Sequence, residues 1–129
     1  MIERITPPGS PAPRGPYSPA VRAGDFIYVS GQGPIDTATN QLSPGDIRHE
    51  TRIVLNNIRR ILEGCGATMA DVVKVSVFLG DGKDFAAMNE VYAEFFGAAK
   101  PARSTVVTGF VLDMKVEIDC VAYKPTASS

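Results

Sequence analysis

An arginine and a glutamate form the pair of residues in this sequence that could act on a small carboxylic acid. Arg103 lies in KPARSTVV, just before an apolar run typical of a strand, and Glu117 lies in the alternating segment KVEIDCVAY. A guanidinium binds a carboxylate through two hydrogen bonds, and a carboxylate in a cleft can accept a proton from water. An ion pair of Arg103 with Glu117 or Asp119 explains the same residues without a function. The sequence leaves both interpretations open.

Four further residues could complete a polar pocket, although each also has a structural explanation. Asn89 falls within the apolar stripe of a predicted helix, where a buried amide needs hydrogen-bond partners. Tyr17 lies between prolines in GPYSPA and could either fill a gap in the core or offer its hydroxyl to a ligand. Ser30 and Gly31 end a predicted strand, and a glycine there would let a ligand approach the backbone amides.

The composition predicts one globular domain over residues 1–129. Hydrophobic residues make up 44% and charged residues 21%, with a net charge of −1 that gives no support for nucleic-acid binding. Cys65 and Cys120 form no CxxC motif, and His49 has no second ligand near it, so neither a disulfide framework nor a metal site is predicted. No segment resembles a signal peptide or a membrane span, and we expect a cytoplasmic protein.

Hydrophobic periodicity predicts the elements that would position these residues. Strands are predicted at 25–32, 72–79, 102–107 and 114–123. One helix follows SPGD, with Ser43 as its N-cap, Pro44 at its first position and an end at Gly64 and Gly66. A second spans roughly 84–96 and ends at Gly97. The clustered prolines of residues 7–16 predict an extended loop. This order predicts an α+β fold with two helices packed on one face of a mixed sheet.

The sheet face without helices would need another cover. Alternation places Val73, Val75 and Val77 on one side of their strand, together with Leu79. These valines would supply apolar surface for an interface, which copies of the same chain commonly bury against each other. The sequence therefore predicts an oligomer.

Seven segments resemble, in order and spacing, the Rid family, which is also called YjgF or L-PSP. They are GPYSPAV, FIYVSGQ, LEGCGAT, DVVKVSVFL, MNEVYAEFF, PARSTV and KVEIDCVAY, and they cover nearly the whole chain. The branch that they resemble most is the RidA-type imine deaminases. The resemblance implies a chorismate-mutase-like fold and a homotrimer with its sites between subunits. It also implies hydrolysis of 2-imino acids, chiefly 2-iminopropanoate and 2-iminobutanoate, to 2-oxo acids and ammonia without a metal or organic cofactor.

The same resemblance assigns roles to individual residues. Arg103 would bind the substrate carboxylate, Glu117 would orient or deprotonate the attacking water, and the remaining pocket positions would be Tyr17, Ser30, Gly31 and Asn89. The chain departs from many relatives at Thr105, where they have a cysteine, and in the loop TGFVLDM, which lacks their Leu-Pro. Because water can be the nucleophile, we expect activity without a thiolate at position 105.

Three other functions stay open. The chain could be a pathway-specific deaminase acting on an aminomuconate-like imine, and the altered loop would favour this. It could also be a non-catalytic module that binds small carboxylates or unfolded chains, but Glu117 beside Arg103 favours catalysis because an anion sensor gains nothing from a second negative charge. A ribonuclease is disfavoured by the acidic pI and by the lack of a basic patch with interleaved aromatic residues.

Overall fold

The computed structural model describes residues 1–126, in which a six-stranded sheet carries two α-helices on one face. The sheet strands are β1 (Ile2–Ile5), β2 (Ala20–Ala23), β3 (Phe26–Gln32), β6 (Val72–Leu79), β7 (Ala102–Val107) and β8 (Val116–Tyr123). A small separate hairpin consists of β4 (Ile35–Asp36) and β5 (Gln41–Leu42). The helices are α1 (Ile47–Gly64) and α2 (Phe85–Phe96). The predicted α+β class is confirmed.

The strand order β1-β2-β3-β8-β6-β7 decides which side chains share a face. All neighbours in the sheet pair antiparallel except β6 and β7, which are parallel and joined through α2. Residues directly opposite each other on neighbouring strands point to the same side of a sheet. Arg103 lies opposite Val75, whereas Glu117 lies opposite Phe78. Since Val75 and Phe78 are three residues apart in one strand, these two pairs point to opposite faces.

The core lies between the sheet and the two helices. Its strand residues include Ile27 and Val29 of β3, and Ile118 and Cys120 of β8, all at most 4% exposed. The predicted inward face of α1 is also buried, namely Ile47, Val54, Ile58 and Ile61. Full burial of each such aliphatic side chain contributes about 1.5–3 kcal/mol. This packing holds the sheet rigid beneath the residues discussed below.

Helix α1 begins later than the sequence predicts. Its N-cap is Asp46 rather than Ser43, and the Asp46 carboxylate accepts a hydrogen bond from the His49 N–H at 2.9 Å. An aspartate is as strong an N-cap as a serine, and its charge also interacts well with the helix dipole. The Ser43 hydroxyl instead lies 3.0 Å from His49 Nε2. Pro44 therefore precedes the helix.

Val75 and Val77 of β6 do not belong to the helix-free face, which corrects the sequence prediction. The pairing of β6 with β8 shifts between Val72 and Lys74, as at a β-bulge, and Val73 is 44% exposed and separated from the face of Val75 and Val77. Val75 and Val77 are completely buried and belong to the face that packs on the helices. They are unavailable for an interface between chains.

The helix-free face nevertheless carries exposed apolar side chains from other residues. Phe26, Tyr28, Val106 and Tyr123 are each 40–48% exposed there, and the rings of Phe26 and Tyr123 lie 5.3 Å apart. Exposed aromatic side chains concentrated on one sheet face are typical of a surface that another protein molecule covers. We call this set of four residues the open-face patch.

Several short elements escape the sequence analysis. β1 and β2 flank the proline-rich loop. The hairpin of β4 and β5 lies in a stretch whose sequence predicts only a polar turn. β8 begins at Val116, so Met114 and Lys115 belong to the preceding loop rather than to the strand. Within residues 1–126, neither helix has the length and apolar character needed to cross a membrane.

Candidate functional site

The predicted site residues form two groups on opposite faces of the sheet. The Glu117 cleft contains Tyr17, Ser30, Gly31 and Glu117. The Arg103 groove, on the helix side of the edge strand β7, consists of Arg103 and Thr105 with the rings of Phe85 and Tyr92, and helical spacing places Asn89 on the same face of α2 as these two rings. β7 lies two strands away from β8, which corresponds to about 10 Å across the sheet. One chain therefore does not bring Arg103 and Glu117 together.

The floor of the Glu117 cleft depends on a glycine. Pairing between β3 and β8 shifts between Val29 and Gln32, which places Gly31 against the Glu117 side chain. A Cβ atom at Gly31 would lie 2.9 Å from the carboxyl carbon of Glu117 and closer still to one carboxylate oxygen. Gly31 does not have a positive φ, so the position needs glycine for space rather than for backbone freedom.

The proline-rich loop, residues 7–19, forms the wall of this cleft and is tied to the end of β3. The Ser30 hydroxyl donates to the Ser18 carbonyl at 2.6 Å, and the Ser30 N–H donates to the Pro19 carbonyl at 3.0 Å. Tyr17 is 48% exposed, and its hydroxyl accepts a hydrogen bond from the Arg14 N–H at 3.1 Å. The hydroxyl hydrogen of Tyr17 is thus left to donate to a ligand.

Besides the cleft itself, two cavities within residues 1–126 adjoin Glu117 and involve residues that were not predicted from the sequence. One of about 90 Å³ lies beneath the proline-rich loop, and a more open one of about 410 Å³ lies beside the loop that precedes β8. Arg14, Leu112 and Met114 line both of them along with Tyr17 and Glu117. Loop residues give no periodic signal in a sequence, so neither spacing nor alternation could have identified these three.

The environment of Glu117 suits a proton acceptor. Burial raises the pKa of its carboxyl above the usual 4.5, and the neighbouring Asp119 carboxylate raises it further. Burial also raises the pKa of Asp119, which Ser76 and Lys74 oppose. A general base works best when its pKa approaches the working pH. Burial and the Asp119 charge, by raising the pKa of Glu117, therefore make it a stronger base than an exposed glutamate.

In the Arg103 groove, the guanidinium stacks on aromatic rings. Its Cζ atom lies 4.7 Å from the ring centre of Tyr92 and 5.6 Å from that of Phe85. Such cation–π contacts hold the planar group in a fixed orientation. Within residues 1–126 no carboxylate pairs with Arg103. The structural ion pair with Glu117 or Asp119, which the sequence left open, is not formed.

Two other polar side chains near the groove also lack hydrogen-bond partners within residues 1–126. Asn89 is half-buried on α2 between Phe85 and Tyr92, and within residues 1–126 its side chain makes no hydrogen bond. Thr105 follows Arg103 on the same face of β7. The Tyr92 hydroxyl is buried without a hydrogen-bond partner in the described residues, and burial raises its pKa although the Arg103 charge opposes this. The sequence identified Tyr92 only as part of an apolar stripe.

Comparison with known proteins identifies the family. The sequence pattern of the family described as Endoribonuclease L-PSP matches residues 8–124. The chain belongs to this L-PSP family. A relative from Pyrococcus horikoshii described as a RutC family protein is 50% identical over 125 residues, which are 96% of this chain and 99% of the relative. An L-PSP relative from Dermatophagoides farinae, named 2-iminobutanoate/2-iminopropanoate deaminase, is 42% identical over 118 residues, 91% of this chain and 92% of the relative.

Solved structures of L-PSP relatives agree with the fold. The Escherichia coli protein TdcF, solved with bound serine, superposes with a TM-score of 0.88 at 33% identity and covers 95% of this chain and 98% of its own. The Escherichia coli YjgF gene product gives a TM-score of 0.87 at 36% identity, with 94% of this chain and 98% of that chain covered. The predicted membership of the Rid, YjgF or L-PSP family is confirmed.

Proposed function

We propose that this chain hydrolyses small 2-imino acids, with 2-iminopropanoate and 2-iminobutanoate as the reference substrates, to 2-oxo acids and ammonia. The observation that carries the proposal is an arginine held on two aromatic rings with no carboxylate partner within residues 1–126. An arginine in such a position is ready for a substrate anion. The deaminase name of the Dermatophagoides farinae relative supports the same reaction class.

Arg103 binds the substrate carboxylate in this scheme. Its guanidinium group donates two hydrogen bonds, and the ring of Tyr92 holds the guanidinium in place. Thr105 shares the face of β7 with Arg103, Asn89 shares the face of α2 with Tyr92, and both can hydrogen-bond the same carboxylate or the imine nitrogen in this scheme. Thr105 acts here through hydrogen bonding, and a thiolate is not required because water is the nucleophile.

Glu117 acts first as the general base and then as the general acid of the reaction. It accepts a proton from water as the water oxygen bonds to the carbon of the protonated imine and the C=N π electrons move to nitrogen, which gives a neutral tetrahedral carbinolamine. The protonated Glu117 then returns that proton to the nitrogen. The C–N bond breaks, ammonia leaves, and the hydroxyl proton is released as the carbonyl of the 2-oxo acid forms. Tyr17 and the amides near Gly31 orient the water and the substrate in the cleft.

A complete site requires a second copy of the chain. Arg103 and Glu117 lie on opposite faces of one sheet, and the open-face patch supplies apolar surface for association. We therefore propose a homotrimer in which one subunit contributes the Arg103 groove and its neighbour contributes the Glu117 cleft. Tyr17 then comes from the same subunit as Glu117.

Mixed assemblies of two inactive variants test the reaction and the shared site together. Arg103→Ala and Glu117→Ala chains carrying different tags are co-expressed, purified through both tags and assayed by trapping residual 2-iminobutanoate with semicarbazide. Each variant alone should be inactive. Purification through both tags keeps only trimers that contain both variants, and each of these has one site of three with an intact Arg103 and an intact Glu117, so about a third of wild-type activity should return.

The outcomes separate the possible explanations. Restored activity supports both the hydrolase and the shared site, whereas an inactive mixture beside an active wild type rejects the shared site. A wild type that leaves the imine untouched rejects the hydrolase. The family description names an endoribonuclease, but the net charge of −1 gives no electrostatic support for RNA binding. Incubation of the same preparations with RNA would reveal such cleavage.

A further inference from the structure

An arginine that the proposed reaction does not use lies beside the Glu117 cleft. Arg14 lies in the proline-rich loop and lines both cavities next to Glu117. Within residues 1–126 it forms no ion pair, and its guanidinium is more than an ion-pair distance from Glu117. A cation in a cleft without a carboxylate partner is a natural binding position for an anionic group.

The hairpin of β4 and β5 holds this arginine in position. Arg14 Nη2 donates to the Asn40 carbonyl at 2.7 Å, and the Asn40 side-chain oxygen accepts from the Ala12 N–H at 3.2 Å. Asn40 adopts a left-handed conformation with φ of 57° at the hairpin turn. One of the five guanidinium N–H groups is thus used to fix the side chain. The hydrogen bonds found within residues 1–126 leave the others available to a ligand.

The cleft is also larger than a three- or four-carbon imino acid requires. Its open cavity measures about 410 Å³, which lies within the range of about 300–1,000 Å³ for pockets of drug-sized ligands. Leu112 and Met114 line the cavity together with Arg14 and Glu117. This combination suits a ligand with an apolar carbon chain that ends in a negative charge.

We propose that Arg14 forms a second anion-binding position, which favours 2-imino acids whose side chain ends in a carboxylate. The inference rests on the proposed function, in which Arg103 of a neighbouring subunit binds the carboxylate next to the imine. Two arginines then bind the two carboxylates of the substrate, and Glu117 acts on the imine carbon between them. Arg14 is a specificity-determining residue in this scheme.

Two imines that differ in their side chain test the inference. 2-Iminoglutarate and 2-iminobutanoate are generated with amino-acid oxidases, and kcat/KM is measured for each with the wild type, Arg14→Met, Arg14→Lys and a matched control, Arg4→Met. Arg4 is an exposed residue of β1 that lines neither cavity. The ratio of kcat/KM for the acidic imine to that for the neutral imine should fall about tenfold or more in Arg14→Met, the loss expected for one charge-assisted hydrogen bond. The ratio should fall less in Arg14→Lys, and it should stay at the wild-type value in Arg4→Met.

A binding measurement distinguishes failure of the inference from failure of the proposed function. Calorimetry with 2-oxoglutarate and 2-oxobutanoate should show that Arg14→Met weakens only the binding of the dicarboxylate 2-oxoglutarate. The factor should be similar to the change in the kcat/KM ratio. An active enzyme whose substrate ratio is unchanged in Arg14→Met overturns the inference and leaves the hydrolase standing. If the wild type hydrolyses neither imine, the proposed function is wrong and calorimetry decides alone. In that case weaker 2-oxoglutarate binding in Arg14→Met supports the anion position, and equal binding overturns it.

Discussion

Replacing Gly31 by alanine should disable Glu117 without unfolding the protein. The added methyl group would lie 2.9 Å from the Glu117 carboxyl carbon and 3.3 Å from its Cγ. Atoms at this separation must move apart, and the end of a flexible side chain moves more easily than a strand backbone. We therefore expect the carboxylate of Glu117 to shift by about 1 Å, a displacement that costs on the order of 10²-fold in rate.

The stability of the protein should change far less than its activity. Gly31 does not have a positive φ, so alanine fits the backbone, and its lower chain entropy in the unfolded state stabilises by about 0.4–1 kcal/mol. A strained Glu117 rotamer costs about 0.5–1.5 kcal/mol. These contributions nearly cancel, and the free energy of unfolding should stay within about 1 kcal/mol of the wild type.

The assay compares kcat/KM for 2-iminobutanoate with stability from urea titration. Gly109→Ala is the matched control, because a Cβ there would meet no atom within 4 Å. Adding Gly31→Ala to Glu117→Gln should cause little further loss, since the affected group is already absent. The reasoning is refuted if Gly31→Ala keeps full activity, or if it loses as much activity in the Glu117→Gln background as alone.

Three further results are expected. Asp119→Asn removes a negative charge that raises the pKa of Glu117. A larger fraction of Glu117 is then ionised at low pH, so the acid limb of the kcat/KM profile should move to lower pH. An acid limb that does not move contradicts this. Glu50 is 1% exposed and accepts from the Lys115 N–H at 2.8 Å, so Glu50→Ala should lose about 1–3 kcal/mol in urea unfolding, and Glu50→Gln should lose less. Tyr28→Lys should give monomers in light scattering and abolish activity, whereas Ala86→Lys on the exposed face of α2 should do neither.

The sequence predicted those elements whose burial imposes a period. Buried and exposed positions alternate along β3 and β8 because one face of the sheet packs on helices. The buried positions include Ile27 and Val29 of β3 and Ile118 and Cys120 of β8. The short strand β1 is almost entirely exposed, so burial imposes no pattern on it. The exact start of α1 depended on a choice between Ser43 and Asp46, which are both good caps. Propensity alone does not decide such a choice.

The sequence indicated candidate site residues by their type, but it could not indicate how they are arranged. Alternation within a strand says which residues share a side, and it does not say which side of the sheet that is. The separation of Arg103 from Glu117 follows from the parallel pairing of β6 with β7 and the antiparallel pairing of β6 with β8. These pairings join residues far apart in the chain. Arg14 gave no signal, because a charged residue in a proline-rich loop resembles ordinary surface.

The separation of Arg103 and Glu117 by the sheet has a consequence for gene dosage. In the proposed homotrimer a lone chain would hold two incomplete half-sites, so activity would fall steeply on dilution into the range where the trimer dissociates, because the trimer concentration then varies as the third power of the chain concentration. A chain defective in both residues would disable two sites of every trimer that it enters, although it is one subunit of three. Such a variant would act dominantly over a normal copy, while a chain lacking only one of the two residues would disable a single site.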